Sequence, residues 1–452
     1  MARRSIDSKS LGPITASLRK ANAAVAKRYP GESGDRQAVH TVYGGAHLFR
    51  SDSAERLGKI ARGSLKEYAP DPAGFAEILG IDVDLAAPVY ARVVEKLRRE
   101  PVEDFRIDFE DGYGNRPDAE EDGHAESAAG EVAAGLSAGT LPPFIGIRIK
   151  PMSAELHLRS LRTLDVFVTT LIRATRRRPP PNFVVTVPKL MSPAHVTVVA
   201  RACTVLERKL KLPAKALRLE LMIETPQSIL AADGSSALAA LVQAGGGRVT
   251  GAHFGTYDYT ALAGITASWQ HMRHAACDFA KHMMQVALAQ SGVRLSDGAT
   301  NVMPVAPHKA APGASLSDVE RRENRDSVHR AWKRHFDDVT HSLVNGYYQG
   351  WDLHPAQLPT RYAAVFAFFL GSRAAATTRL RNFVERAAHA TLVGDVFDDA
   401  ATGQGLLNYF LRGINSGALT PDEARETGLT LDEIQMRSFL KIVKGRGRTA
   451  SS

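Results

Sequence analysis

Short β-branched runs alternate along this chain with longer stretches in which apolar residues recur at helical spacing. Eight runs stand out: AVHTVYGGAHLF (38–49), DFRIDFEDGYG (104–114), FIGIRIKP (144–151), FVVTVPKL (183–190), LRLELMIETP (217–226), GRVTGAHFGTYDYT (247–260), TNVMPVAPH (300–308) and GYYQGWDLHPAQL (346–358). Helical period fills the gaps, over 54–65, 88–99, 119–136, 153–174, from Ser192-Pro193 onward, and over 268–291 and 318–343. In 88–99, for example, Val89, Val93, Val94 and Leu97 form one apolar stripe opposite charged residues. Strand-like runs spaced by helices predict a parallel α/β architecture. Eight of them fit a closed (β/α)8 TIM barrel, with its active site at the C-terminal ends of the strands. An open doubly wound sheet is the competitor, but no GxGxxG follows the first run and no GxxxxGK[ST] occurs anywhere.

The pattern changes at both ends. Residues 1–35 are polar and punctuated by Gly and Pro, which predicts an N-terminal arm with one helix near 14–29. The barrel is expected over 36–389, closing with a long helix at 361–389. A C-terminal helical extension, 390–452, carries two capping-box signals, Thr420 with Glu423 and Thr430 with Glu433.

Composition adds limits. With 452 residues, 44% hydrophobic and 23% charged, the chain is globular and long enough for a large core. The net charge of +9 is concentrated in 173–178, 321–334 and 441–448, which read as solvated faces, since no motif interleaves aromatics with the basic residues. Nucleic acid is therefore not an expected partner. Cys203 and Cys277 alone exclude a disulfide framework and suggest a reducing compartment. No apolar run reaches the ~18 residues of a spanning helix, so no membrane partner is expected, and the location expected is cytoplasmic.

Candidate chemistry collects at the ends of the runs. Glu224 and Asp258 each close an apolar run and stand 258 − 224 = 34 residues apart, about one strand-helix-strand unit. Two carboxylates at one mouth suit Mg²⁺, or Mn²⁺ in its place, because such an ion leaves its other positions to water and a chelating substrate. Taken singly, each acid is more often a helix cap or turn residue. Arg148 lies in an otherwise apolar run, where a guanidinium needs a partner. That partner is either a substrate carboxylate or an internal acid, Glu110 or Asp111. Strand alternation points Asp108 and Glu110 to one face and Asp111 to the other. Lys189 either neutralises these acids or holds an anionic substrate. His47, His308 and His354 follow strand-like runs, and each could serve as a general base or as a hydrogen-bonded structural histidine. His308 lies in a Pro/Ala/Gly-rich loop, 304–316, expected to cover the site and touch substrate. His271, His274 and His282 share a predicted helix without an HExxH pattern, so no zinc site is expected.

The order DFEDG, IRIKP, VPKL, MIETP, FGTYDYT, DLHPAQ resembles the citrate lyase β-subunit/HpcH-HpaI aldolase superfamily. That superfamily shares the phosphoenolpyruvate/pyruvate-binding barrel and includes malate synthases. The resemblance covers residues 38–370. It implies that Arg148 binds the substrate carboxylate, that Glu224 and Asp258 ligate Mg²⁺, and that Glu110 and Asp111 line the site. It also implies that Lys189 is the lysine of the PK motif and that His354, Pro355 and Gln357 form an HPxQ signature. Leu190-Met191 stands where a Val-Glu is common in the family. The implied function is a Mg²⁺-dependent carbon–carbon lyase or aldolase acting on a 2-oxo acid or related small carboxylate through a metal-stabilised enolate, with Arg148, Lys189 and Asp111 as catalytic residues. Alternatives are a malate-synthase-like or citrate-lyase-like enzyme using a coenzyme A thioester, and a non-catalytic barrel that senses a metabolite. Homo-oligomerisation is expected.

Overall fold

A computed structural model describes residues 6, 8–31, 34–385, 391–393, 396–398, 400–439, 441–442 and 446. Eight parallel strands form one sheet: β1 (His40–Gly45), β2 (Asp104–Asp108), β3 (Phe144–Arg148), β4 (Phe183–Val187), β5 (Arg218–Ile223), β6 (Val249–Phe254), β7 (Arg294–Ser296) and β8 (Gly350–Asp352). They are ordered β7-β6-β5-β4-β3-β2-β1-β8. The two edge strands meet. Asp297 N–H donates to the Gln349 carbonyl (2.8 Å), Trp351 N–H to the Gly298 carbonyl (2.9 Å), and Ala299 bridges Trp351 in parallel. The expected (β/α)8 barrel is therefore the fold, with helices between the strands.

Alternation within the strands divides the molecule into two environments. Phe105 and Ile107 of β2, Ile145 and Ile147 of β3, Val185 and Val187 of β4, and Leu219, Leu221 and Ile223 of β5 face outward into one core beneath the helices. The residues between them point into the barrel, and many are polar. Arg106 pairs there with Asp104 and, across the barrel, with Glu220 (Nη2 to Oε2, 2.6 Å). Glu220 also accepts from Thr186 (2.8 Å) and lies 2.9 Å from His253 Nε2. Charges buried this way need each other, because removing one partner leaves an uncompensated ion in a poorly solvated space.

Half of the described α-helices start where the sequence provides a side-chain cap. Ser192 caps Pro193–Leu210, and both expected C-terminal capping boxes form, opening Pro421–Arg425 and Leu431–Gln435. The helices Ala400–Asn415 and Leu358–Glu385 join the barrel's core through Leu407, Phe410, Phe369 and Phe383. The short strands Thr391–Val393 and Val396–Asp398 pair antiparallel. The expected end of the long helix at 386–389 and the domain boundary at 390 lie outside the described residues.

Two expectations are corrected, and one helix is added. The seventh strand is Arg294–Ser296, and the run at 300–308 is loop. Pro304 and Pro307 have no N–H for a ladder, and Val302 and Val305 are 46% and 44% exposed. The helix expected over 268–291 begins only at Ala275, capped by the His274 side chain, after a 3₁₀ turn at Ala267–Trp269. A further helix, Pro72–Leu79, is capped by Asp71 and lies in a stretch not assigned from the sequence. Among the described residues, no helix is long and apolar enough to cross a membrane.

Candidate active site

Parallel strands deliver their C-terminal ends to one mouth, and the charged residues follow them there. Asp108 ends β2 and Glu110 and Asp111 come just after it; Arg148 ends β3; Lys189 and Glu224 follow β4 and β5. Asp258 sits in the first turn of the helix Thr256–Leu262, after β6.

Lys189 ties the mouth together. Its backbone is left-handed, with φ of 49°, a conformation disfavoured for a residue with a Cβ. This turn directs the Lys189 N–H to Glu224 Oε1 at 2.7 Å. Its Nζ pairs with Glu110 and lies 3.2 Å from Asp111 and 3.5 Å from Asp258. Glu224 is 1% exposed and packs against Gly255, where an added Cβ would meet Glu224 Oε2 at 2.6 Å. A glycine is required at 255 for Glu224 to occupy this position.

Arg148 is also in the mouth, where Glu110 and Asp111, the internal acids expected for it, lie beside it, but Asp108 takes its two-pronged edge. Nε and Nη2 donate to the two oxygens of Asp108 at 2.7 and 2.6 Å, a bidentate pair. Nη1 faces the site, 3.1 Å from Glu110 Oε2 and 3.5 Å from Asp111 Oδ2. The guanidinium carbon lies 4.8 Å from the centre of the Tyr43 ring. The two-pronged edge is thus already used within the protein, and only Nη1 remains for a ligand. Asp111 likewise differs from its expected place on the opposite face. The chain turns after β2, so strand alternation no longer applies, and Asp111 joins Glu110 and Lys189.

The carboxyl groups do not share one ionisation state. Burial, reinforced by the nearby charge of Asp258, pushes Glu224 up to about 8 despite Lys189 and Arg148. Burial likewise raises Glu110 to about 7 against the pull of Arg148, with its neighbour Asp111 adding to the rise. At Asp111 burial pushes upward too, but the hydrogen bond from Glu110 and the charges of Arg148 and Lys189 outweigh it and lower the pKa. Glu110 therefore keeps its proton to a higher pH than its neighbour Asp111. Glu110 Oε2 is buried without an aligned hydrogen-bond partner.

Five carboxyl groups (Asp108, Glu110, Asp111, Glu224, Asp258) face two cations (Arg148, Lys189), an excess of three negative charges when all are ionised, which the raised Glu110 and Glu224 relieve in the ion-free chain by keeping protons. A divalent cation fits this imbalance. Among the described residues no group of three or more His, Cys, Asp or Glu side chains forms a protein-only metal cage. A pair of carboxylates completed by water and substrate is the arrangement Mg²⁺ favours over such a cage.

The expected histidines have other partners. His308 is not brought to the mouth: its Nε2 lies 2.5 Å from Glu323, and its backbone exchanges hydrogen bonds with Asn324. The loop docks on the helix Asp318–Val344 because Asn324 satisfies both its N–H and its carbonyl. His354 caps the 3₁₀ turn Pro355–Gln357, accepting from Ala356 N–H at 3.1 Å, while the Gln357 side chain reaches back to Leu353 N–H and His354 N–H. The HPAQ motif thus closes a turn. His47 packs against Tyr113 and His124, and burial lowers its pKa. Sequence reasoning missed Tyr43 and Gly255. Tyr43 precedes the Gly44-Gly45 pair that ends β1, and Gly255 follows the last residue of β6, which was the available signal.

No curated protein matches the chain. Among solved structures, a citrate lyase from Burkholderia xenovorans LB400 superposes with a TM-score of 0.54 at 20% identity, covering 75% of this chain and 92% of that one. A malate synthase from Haloferax volcanii gives a TM-score of 0.46 at 14% identity, with 90% and 98% covered. The first of these likenesses is one of fold. At the level of sequence, residues 18–442 match the family described as Domain of unknown function (DUF6986), and the chain belongs to that family.

Proposed function

We propose that the protein is a Mg²⁺-dependent carbon–carbon lyase acting on a 2-oxo acid or a related small carboxylate. The observation that carries this reading is the mouth with five carboxyl groups and two cations, in which Glu224 and Asp258 both reach Lys189. Glu224 and Asp258 would hold the ion. When bound, the dication supplies positive charge beside an oxygen that grows more negative as the carbon–carbon bond breaks.

The chain's own residues divide the remaining work. Arg148 Nη1 is the donor left for a substrate carboxylate, with Asp108 fixing the guanidinium plane. Glu110, raised to about 7, is placed to hold or release a proton at neutral pH, the condition for an effective general acid or base. Asp111 stays ionised and keeps that proton on Glu110. Lys189 neutralises part of the cluster and positions Glu224 through its own backbone.

Incubation with Mg²⁺ and pyruvate in D₂O tests the reading. Proton exchange at the methyl group, followed by NMR and lost in Asp258→Ala, is expected. Binding of pyruvate without exchange would instead mark a metabolite sensor.

A further inference from the structure

A second cavity, of about 590 Å³, lies at the opposite end of the barrel from the carboxylate mouth. It is bounded by the residues leading into β1 and β8, by the start of β7, and by the helix Ala400–Asn415. This volume falls in the range of small-molecule sites, ~300–1,000 Å³. Its walls are of two kinds. Val39, Val365, Phe369 and Leu411 make an apolar side, and Arg294, Arg412 and Arg437 a cationic one, with Asp35 the single acid among the described lining residues.

Arg294 is the informative residue. It opens β7, and its side chain is only 27% exposed. The nearest carboxylate, Asp35, lies 3.8 Å away and is itself 85% exposed. Among the described residues, Arg294 donates no hydrogen bond. The buried arginines of the barrel, by contrast with half-buried Arg294, are compensated at short range: Arg106 by Asp104 and Glu220, Arg148 by Asp108, Arg248 by Glu207, Arg361 by Asp352. Burial lowers the pKa of Arg294, whereas ion pairing raises it at Arg106, Arg148 and Arg248. A guanidinium stays protonated at neutral pH, so its charge still calls for an anion.

We propose that this cavity is a second ligand site, distinct from the mouth, and that it takes an organic anion. A carboxylate or phosphate head pairs with Arg294, and an apolar body lies against Val39, Val365, Phe369 and Leu411. Arg412 is stacked over Tyr348, 4.0 Å from its ring centre, and brings a second positive charge to the same wall.

The test uses the full chain and the fluorescent sulfonate 8-anilinonaphthalene-1-sulfonate. Saturable binding at one site is expected, with Arg294→Gln weakening it by about tenfold or more, the size of one charge-assisted hydrogen bond. Leu411→Trp, which fills the apolar side, should abolish it. Circular dichroism melts establish that both variants fold. In the unaltered protein the neutral N-phenyl-1-naphthylamine should bind at least tenfold more weakly than the sulfonate. Displacement by octanoate or by hexyl phosphate then tells which head group is preferred. Equal affinity for the charged and neutral probes, or sulfonate binding unchanged by either folded variant, overturns the proposal.

Discussion

Mg²⁺ affinity should rise steeply with pH, and Glu224 sets the size of the effect. In the ion-free chain its carboxyl is held up at about 8 by burial and by Asp258. A ligand carboxyl must lose its proton before it binds, so proton and ion compete. With a pKa of about 8, roughly one-hundredth of Glu224 is ionised at pH 6 and about half at pH 8, a gain of about 50-fold in apparent affinity across that interval. The ion-free protein should respond in the opposite sense. Glu224 has a folded pKa above its unfolded one, so its contribution is fully present below about 4.5 and is lost as pH rises through about 8. The shift of about 3.5 units sets an upper limit of ~5 kcal/mol on that loss. Isothermal titration calorimetry with MgCl₂, in two buffers of different ionisation heat, measures both affinity and protons released. About 0.9 proton per ion should be released at pH 7, and Glu224→Gln should flatten the profile. An affinity that is the same at pH 6 and pH 8, with no proton released, would refute the assignment of Glu224 as a ligand.

Four further outcomes are expected. Asp258→Ala should abolish Mg²⁺-dependent turnover and leave the thermal midpoint nearly unchanged, since Asp258 is on the surface of the mouth; turnover retained at saturating metal and substrate contradicts its role. Arg106→Met should cost about 3–5 kcal/mol in urea unfolding, because it leaves Asp104 and Glu220 as buried charges; a loss under ~1 kcal/mol would mean that the interior pairs contribute little. His354→Ala should remove a cap worth about 0.5–2 kcal/mol while turnover stays within twofold, and a large loss of turnover would return His354 to the list of catalytic groups. Gly255→Ala should push Glu224 aside and weaken Mg²⁺ binding, read by the same calorimetry; unchanged binding shows that the neighbouring backbone yields.

The barrel was legible because its outward positions are a period-two signal repeated over several long strands, as in Phe105-Ile107 and Leu219-Leu221-Ile223. β7 escaped because a three-residue strand has no room for a period, and the apolar run after it is broken by prolines. Six of the site residues, Glu110, Asp111, Arg148, Lys189, Glu224 and Asp258, were recognisable because strand ends in a parallel barrel converge whatever their separation in the chain. Partner choice was not. Whether Arg148 grips Asp108 or a ligand depends on side-chain directions fixed by the neighbouring strands, as does the turn that brings Asp111 round. His308 misled because a histidine after a strand-like run is informative only if the loop stays over the barrel, and Asn324 ties this one to a helix instead.

The junction of β7 and β8 is held by two amide hydrogen bonds and one bridge, whereas β2 and β3 run side by side through five residues from Asp104 to Asp108. Amides at Asp297 and Trp351 should therefore exchange with solvent hydrogen before those of β2 to β5. A cylinder with one weak join unrolls from that join, so mechanical or thermal stress reaches the cavity around Arg294, at the foot of the same two strands, before it reaches the acids at the rim.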